Sequence, residues 1–279
     1  MAVGQLAPTE DARDNWETAE RLIIQAAGQG ASLLVLPEQT MLAQRAGAPE
    51  RFTALAREAW GWWPEALAAA ARDHAIAVIA GGFAALTAAN LDGPASASLA
   101  QAVPSEDAAG PDARPWNVLV AVDADGQTVA CRPKTRLYDA FTYRESDLVR
   151  PGTAAGRSPF MLAGLRLGMV NCYELRFPEC ARSLALDGAG VLALGAAWTR
   201  GPAKEDQWQT LARARAIENC AYVLASATRT KDTIGRSMII DPIGTIRAGL
   251  GGEPEGLALA QIDTAAIETA RDQAGSVRR

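Results

Sequence analysis

The stretch LRLGMVNCYELRFPE, residues 165–179, joins an apolar run to a reactive side chain. LRLGMVN predicts a buried strand, and the preceding PFML, separated from it by a short turn, indicates a β-hairpin. Cys172 follows that strand directly, and the residues after it predict a helix over 177–186. A free cysteine in an apolar context is more often an inert core residue, so this stretch alone predicts structure rather than chemistry.

The rest of the chain alternates short apolar runs with amphipathic helical patterns. Further strands are predicted over residues 1–6, 32–38, 75–82, 191–198, 221–228, 237–241, 245–248 and 257–263, with a hairpin over 117–134. Further helices are predicted over residues 9–28, 52–70, 204–220 and 264–272, and residues 84–115, which lack a period, are predicted to be an insertion or long loop. This order predicts an α/β fold with a mixed sheet, or two sheets covered by helices, and ligands at the carboxyl ends of strands.

The composition excludes several classes of protein. The 279 residues are 49% hydrophobic and 21% charged, with a formal net charge of −5, as in ordinary globular proteins. No stretch concentrates lysine and arginine, which argues against a nucleic-acid or anionic-membrane partner. No apolar run is long enough to span a bilayer, and the opening MAVGQLAPTED does not resemble a signal peptide. We therefore expect a soluble, cytoplasmic protein.

The numbers of histidine and cysteine residues restrict the catalytic mechanisms and metal sites that this sequence could support. His74 is the only histidine, so a His-rich metal site is excluded and any Ser-His-Asp or Cys-His mechanism would have to use it. Its place at a helix-to-strand junction indicates a bystander. The four cysteines match no zinc-ligand or CxxC spacing, so we expect no metal and four reduced thiols, with Cys131, Cys180 and Cys220 buried.

Three reactive side chains lie where apolar runs end: Glu38 after SLLVLP, Lys134 after QTVACRP and Cys172 after LGMVN. Taken singly, each has an ordinary structural explanation, a solvated charge for the first two and a core residue for the third. Their common position at strand ends favours a shared site.

Several segments resemble one known family, in the expected order along nearly the whole chain. GMVNCYELRFPE is similar to the nucleophile motif of the nitrilase superfamily, the carbon–nitrogen hydrolases. LLVLPEQTM resembles its glutamate motif and ACRPKTRLYDAF its lysine motif, and WQTLARARAIENCAYVLASA and SMIIDPIG resemble its later signatures. The segments YDAF and RESD are most similar to those of an amidase branch akin to omega-amidase and deaminated glutathione amidase.

The resemblance implies a fold, an assembly and a set of site residues. It implies one carbon–nitrogen hydrolase domain over residues 1–279, an α-β-β-α sandwich, and a homodimer or higher homo-oligomer formed through helices. Helix 204–220 is a candidate for that interface, or is packed inside the protomer. The triad maps onto Glu38, Lys134 and Cys172, and YRESDLVRPG supplies a second glutamate, Glu145. The mechanism it implies uses no metal or organic cofactor.

Chemistry assigns each residue a role in amide hydrolysis. Glu38 would act as general base and acid for the Cys172 thiol, because a cysteine with an ordinary pKa of about 8.5 is mostly protonated at neutral pH. Lys134 would stabilise the tetrahedral oxyanion together with the Tyr173 backbone N–H, and Glu145 would orient Lys134 and the substrate. Trp198 either lines the pocket or is a core aromatic residue.

The predicted function is hydrolysis of a small linear amide to carboxylate and ammonia. Alternatives are an N-carbamoyl-amide hydrolase, a nitrilase, a non-catalytic binding protein of the same fold, and a redox sensor pairing Cys172 with Cys180. Three arginines near the lysine motif are either carboxylate ligands or, as their setting favours, a solvated face: Arg132, Arg136 and Arg144. A structural ion pair is predicted between Arg176 and Glu179.

Overall fold

Two six-stranded sheets lie face to face in the computed structural model, which describes residues 1–44, 48–86, 94–100, 112–141, 143–153 and 158–277. The first half of the chain supplies the strands β1 (Ala2–Gln5), β2 (Leu33–Val35), β3 (Ala77–Ala84), β4 (Trp116–Val122) and β5 (Thr128–Pro133). A small ribbon follows, β6 (Asp139–Ala140) and β7 (Tyr143–Arg144). The second half supplies β8 (Phe160–Leu162), β9 (Leu165–Asn171), β10 (Val191–Ala196), β11 (Tyr222–Ala227), β12 (Met238–Ile240), β13 (Ile246–Gly249) and β14 (Gly256–Leu259).

Both sheets are mixed and have the same pattern of strand directions. The first has the order β14-β1-β2-β3-β4-β5, and the second has the order β8-β9-β10-β11-β12-β13. In each, the second, third and fourth strands run parallel and the outer pairs are antiparallel. The last strand of the chain therefore completes the first sheet, while its predecessor β13 belongs to the second.

Helices cover the outer faces of the two sheets. The described helices are α1 (Ala12–Gly28), α2 (Pro49–Trp60), α3 (Trp63–Asp73), α4 (Pro94–Ala100), α5 (Pro178–Leu186), α6 (Lys204–Asn219) and α7 (Thr264–Ala274). Apolar residues of α1, α2 and α3 share one core with the first sheet, and those of α5 and α6 share another with the second. A third core lies between the sheets and consists of apolar side chains that alternate strand residues point inward, such as Val35, Ile79, Leu167 and Ala193. The predicted α-β-β-α sandwich is confirmed.

Two sequence predictions differ from the structure. The helix predicted over residues 52–70 is two helices, because the chain breaks at Gly61 and Trp62 and restarts with Pro64 in the first turn of α3. The region predicted as an insertion contains α4, whose Ser98 hydroxyl accepts a hydrogen bond from the backbone N–H of Cys131 in β5, at 2.9 Å. The rest of that region, 87–93 and 101–111, lies outside the described residues.

Candidate active site

Cys172 begins the short helical turn Cys172–Arg176, directly after β9. Its φ of +47° is uncommon for a residue with a side chain, and such strained positions persist only where neighbouring contacts hold them. Glu174 provides these contacts. Its Oε2 accepts a hydrogen bond from the Asn171 N–H at 2.9 Å. Its Oε1 accepts two from Thr135, one from the backbone N–H at 2.8 Å and one from the hydroxyl at 2.7 Å. The turn that carries the thiol is thereby joined to the residue after Lys134.

Glu38 lies three residues beyond β2 and is buried. Its Oε1 accepts hydrogen bonds from Lys134 Nζ and Asn117 Nδ2, both at 2.7 Å, and its Oε2 accepts from the Ala197 N–H at 2.8 Å. Gly81 in β3 permits this placement, since a Cβ there would lie 2.0 Å from the Glu38 carbonyl oxygen. The position of Glu38 therefore depends on the neighbouring strand as well as on its own segment.

Lys134 and Glu145 complete the buried cluster. Lys134 Nζ lies 2.8 Å from Glu145 Oε2 and 3.0 Å from Oε1, and both side chains are almost inaccessible to water. Glu145 begins the helical turn Glu145–Asp147, and its Oε2 accepts from the Tyr138 N–H at 2.6 Å. Asn117 Nδ2 donates to Glu145 Oε1 at 2.8 Å as well as to Glu38. Two carboxylates thus flank one ammonium group next to the thiol.

The electrostatics of this cluster favour a thiol beside an ionised base. Burial raises the pKa of Cys172, the Glu38 carboxylate raises it further, and Lys134 opposes both, so the thiol pKa lies well above its ordinary value. Burial also raises the pKa of Glu38, but the Lys134 charge and the hydrogen bonds that the carboxylate accepts from Lys134 and Asn117 outweigh it, so that pKa is lowered. Burial alone would lower the pKa of Lys134, yet Glu145 and Glu38 hold it well above the usual range. The resting state is therefore thiol, carboxylate and ammonium.

A cavity of about 970 Å³ opens over the cluster, and its lining includes Cys172, Glu38, Lys134 and Glu145. The structure thus brings these four sequence-predicted residues together. Tyr173 and Trp198 lie in the wall. The Tyr173 ring packs edge-on against Tyr138 and Phe177. Trp198 is both buried and pocket-lining: its Nε1 donates to the Lys204 carbonyl at 2.9 Å, and its ring contacts Trp208.

The basic side chains at this cavity differ from those that the sequence indicated. Its lining includes Arg176, Arg200, Lys204 and Lys231, with Asp232 beside them. The Lys204 ammonium lies 4.3 Å from the centre of the Phe141 ring and 5.7 Å from that of Tyr138. We call these four cations and the two aromatic rings the rim.

The earlier arginine candidates lie elsewhere. Arg136 is exposed and 3.5 Å from Glu179, and Arg144 is exposed and 3.5 Å from Asp147, so the solvated interpretation fits both. Arg132 is half-buried and lines a separate small cavity.

The ion pair predicted between Arg176 and Glu179 is wrong. Arg176 donates to Gln207 Oε1 at 2.7 Å and lies 4.8 Å from the Trp198 ring centre, which turns it toward the cavity. Glu179, in the first turn of α5, pairs with Arg136 instead.

Sequence reasoning missed Asn117, Asn171 and Glu174. Glu174 was visible in the motif CYE as a carboxylate two residues from the nucleophile. Asn117 looked like the opening residue of a hairpin strand, and nothing local indicates that β4 points it at two carboxylates. His74 caps the end of α3, as a bystander would.

All four cysteines lie among the residues that the structure describes. Cys131, Cys172, Cys180 and Cys220 are buried, and no disulfide joins any two of these four residues. Burial raises the pKa of Cys131 to about 12. Within the described ranges, no group of three or more His, Cys, Asp or Glu side chains could hold a metal ion, and no helix is both long and apolar enough to cross a membrane.

Comparison with known proteins identifies the family. The family model described as carbon-nitrogen hydrolase matches residues 1–272. The chain belongs to the carbon–nitrogen hydrolase family. It is an enzyme that acts on carbon–nitrogen bonds, which removes support from a non-catalytic binding protein.

Relatives of this hydrolase include named amidases. It is 42% identical over 161 residues to the deaminated glutathione amidase of Escherichia coli O157:H7, a match spanning 57% of this chain and 60% of that protein. It is 32% identical over 285 residues to the deaminated glutathione amidase of a Synechocystis species, spanning 98% of this chain and 95% of that one. The NitFhit protein of C. elegans has a similar structure, with a TM-score of 0.82 and 28% identity, covering 100% of this chain and 64% of that longer one.

Proposed function

We propose that the protein is a thiol-dependent amidase that hydrolyses a small linear amide to a carboxylate and ammonia through a thioester on Cys172. The observation that carries this proposal is the buried Glu38 carboxylate, which contacts Lys134 at 2.7 Å and lines the same cavity as the Cys172 thiol. Relatives named amidases support an amide over a nitrile.

Acylation uses Glu38 first as base and then as acid. The Cys172 S–H bond breaks and its proton passes to Glu38, while a bond forms between Sγ and the amide carbonyl carbon. Glu38 then gives that proton to the amide nitrogen, the C–N bond breaks, and ammonia leaves. The products of this half-reaction are ammonia and a thioester, with Glu38 again a carboxylate.

Deacylation repeats the same proton path with water. Glu38 takes a proton from a water molecule as the water oxygen attacks the thioester carbon. Collapse of the second tetrahedral intermediate breaks the C–S bond and releases the carboxylic acid, and Glu38 returns the proton to Sγ. One water molecule is consumed for each amide bond cleaved.

Lys134 and the backbone N–H of Tyr173 are the proposed oxyanion donors. An ammonium group carries three N–H bonds, and the Glu38 and Glu145 carboxylates occupy two directions around Nζ, so a third donor can face the substrate oxygen. Glu145 holds Nζ in place through two contacts of 2.8 and 3.0 Å. A preorganised donor of this kind is worth about 10²–10³ in rate.

The rim supports a substrate whose end far from the amide is acidic. The floor of the cavity has two carboxylates and one ammonium, whereas the rim has four cations beside a single aspartate. A neutral amide group would therefore enter first, with a carboxylate held at the rim by Arg176 and Lys204. Trp198 adds an apolar surface to the lining of the same cavity.

Ammonia release tests the proposal. Simple amides, omega-amides of dicarboxylic acids, N-carbamoyl compounds and nitriles would be incubated with wild type and with Cys172→Ala. We expect release from the omega-amides, abolished by Cys172→Ala. Release from nitriles or N-carbamoyl compounds alone would favour those alternatives, and release that survives Cys172→Ala would overturn the thiol mechanism.

A second variant tests the acidic end. Lys204→Met should raise KM about tenfold for an omega-amide of a dicarboxylic acid, because a charge-assisted contact is lost. KM for the neutral amide of the same chain length should not change, and this substrate pair is the control. An equal rise for both substrates would mean that Lys204 only shapes the rim.

A homodimer is also part of the proposal, through the outer face of the second sheet. Exposed apolar side chains on that side include Leu186, Ile217 and Ile243, and a Cβ at Gly244 would lie 2.6 Å from Ile217 Cδ1. Sedimentation at micromolar concentration should give a dimer in wild type and a larger monomer fraction in Ile217→Glu, because a buried charge would disfavour the interface. A wild-type monomer would contradict it.

A further inference from the structure

The side chain of Asn117 contacts more of the buried cluster than its position in a β-hairpin suggests. It is fully buried in β4, and its Nδ2 donates to Glu38 Oε1 at 2.7 Å and to Glu145 Oε1 at 2.8 Å. Its Oδ1 accepts from Asn171 Nδ2 at 3.0 Å, and its backbone carbonyl accepts from the Lys134 N–H at 2.8 Å. Because an ionised carboxylate only accepts hydrogen bonds, the amide can face the two glutamates only with its nitrogen.

These contacts make the two oxygens of Glu38 unequal. A carboxylate oxygen has about two acceptor sites, and Lys134 and Asn117 fill both sites of Oε1. Oε2 accepts only the Ala197 N–H among the contacts of the described residues, at 2.8 Å, so one site on it stays open. Ala197 lines the cavity together with Cys172, so Oε2 is the oxygen of Glu38 that is bound to the cavity wall and has room for a further proton.

We infer that Asn117 is a positioning residue that directs the thiol proton of Cys172 to Oε2 of Glu38. Saturating Oε1 with two donors leaves Oε2 as the acceptor when the S–H bond breaks and the O–H bond forms. The same donors keep Glu38 ionised, and Asn171 fixes the Asn117 amide from the residue before the nucleophile. The inference rests on the proposed function, because it assigns Glu38 as base.

Alkylation of Cys172 by iodoacetamide tests the inference without an amide substrate. In that reaction Sγ displaces iodide from the reagent and the thiol proton is released through Glu38. The rate at Cys172 would be followed by mass spectrometry of peptides between pH 4 and 8 for the folded protein. In wild type the rate should change little above pH 5, because the pKa of Glu38 is lowered.

Two variants separate donation from shape. Asn117→Leu removes the donors, so Glu38 should ionise less readily. The acid limb, the part of the profile where the alkylation rate falls with falling pH, should move up by about one pH unit, so that the rate at a pH well below its midpoint is about tenfold lower than in wild type. Asn117→Asp keeps the shape but replaces the donor with a third acid, so its acid limb should move at least as far. Wild-type behaviour of Asn117→Asp, or an unshifted limb in Asn117→Leu, would overturn the inference.

Two further measurements guard against a folding artefact. Asn219→Leu removes an equally buried asparagine, one that bonds the Arg215 carbonyl in α6, and its alkylation profile should match wild type. Asn117→Ser retains a single hydroxyl donor and should give a smaller shift if Asn117→Leu does not fold. A shifted limb with no amide hydrolysed would uphold the role of Asn117 and refute the proposed amidase. Hydrolysis of an amide with an unshifted limb would do the reverse.

Discussion

The two sheets have the same sequence of strand directions but contribute different chemistry. Strand β9 and strand β1 occupy equivalent places, each between one antiparallel and one parallel neighbour. Cys172 follows β9 and faces the cavity. The end of β1 instead holds Gln5, whose Oε1 accepts from the Ser237 N–H and whose Nε2 donates to the Gly251 carbonyl. The ends of two equivalent strands therefore have different roles: one leads to the proposed nucleophile, and the other joins the two sheets.

The third strands differ in the same way. Glu38 follows β2, whereas Ala197 and Trp198 follow the equivalent strand β10 and offer only a backbone N–H and an apolar wall. The first sheet and its following segments thus supply the proposed base, the ammonium group and its second carboxylate, and the second sheet supplies the proposed nucleophile. The proposed reaction centre is therefore assembled only where the two sheets meet.

The largest expected effect tests whether the two sheets act as one unit. Cys172→Ala and Glu38→Gln should each lower kcat/KM by about 10⁴-fold or more, because either change removes the thiol–base pair. The double variant should lose no more than the worse single variant. A double variant whose loss is the product of the two single losses would mean that the residues act independently, and initial rates of ammonia release decide between these results.

Lys134→Met should give the next largest effect, in the part of the site that the first sheet contributes. The rate should fall about 10²–10³-fold through loss of an oxyanion donor. Urea unfolding should show a loss of about 3–5 kcal/mol in the free energy of unfolding, since two buried carboxylates lose their counter-charge. Lys231→Met, at an exposed lysine, is the stability control and should unfold like wild type. An equally stable Lys134→Met would contradict the charge balance described here.

Gly81→Ala tests how the first sheet positions Glu38. The new Cβ would lie 2.0 Å from the Glu38 carbonyl oxygen, so the segment must shift, and a displacement near 1 Å costs about 10²-fold in rate. Gly28→Ala is the matched control, since no atom lies within 4 Å of a Cβ added there, and its activity should equal wild type. Normal kinetics of Gly81→Ala would show that the Glu38 segment tolerates movement.

The smallest expected effect is the change of kcat/KM with pH. Glu38, from the first sheet, sets the low-pH end of the active range, and Cys172, from the second sheet, sets the high-pH end. The pKa of Glu38 is lowered from 4.5 and that of Cys172 is raised well above 9.0. The active form, carboxylate with thiol, is lost as pH falls through the first value or rises through the second. Between pH 6 and 8, kcat/KM should therefore vary less than about twofold. A steep rise over this interval would indicate a cysteine that reacts as a free thiolate.

Local sequence was sufficient to predict most of the helices and strands and to select the side chains that the structure brings together in the buried cluster. Period-two and period-3.6 apolar patterns predicted the hairpin of β4 and β5 and the helices α1, α5, α6 and α7, because those patterns are set by burial on one face. The break between α2 and α3 was missed although Gly61 and Pro64 signal it. Helix α4 was missed because its composition, PASASLA, has no apolar period.

The sequence by itself determined the family, the sandwich fold and which four side chains to examine, because short motifs contain Glu38, Lys134, Glu145 and Cys172, and the structure brings these four together. Only the tertiary structure decided which groups surround them. Asn117 is joined to Glu38 across 79 residues of sequence, and Arg176 reaches Gln207 rather than the neighbouring Glu179. Such contacts depend on which strands pair and how two sheets face each other, and these are properties of long-range packing that no local pattern specifies.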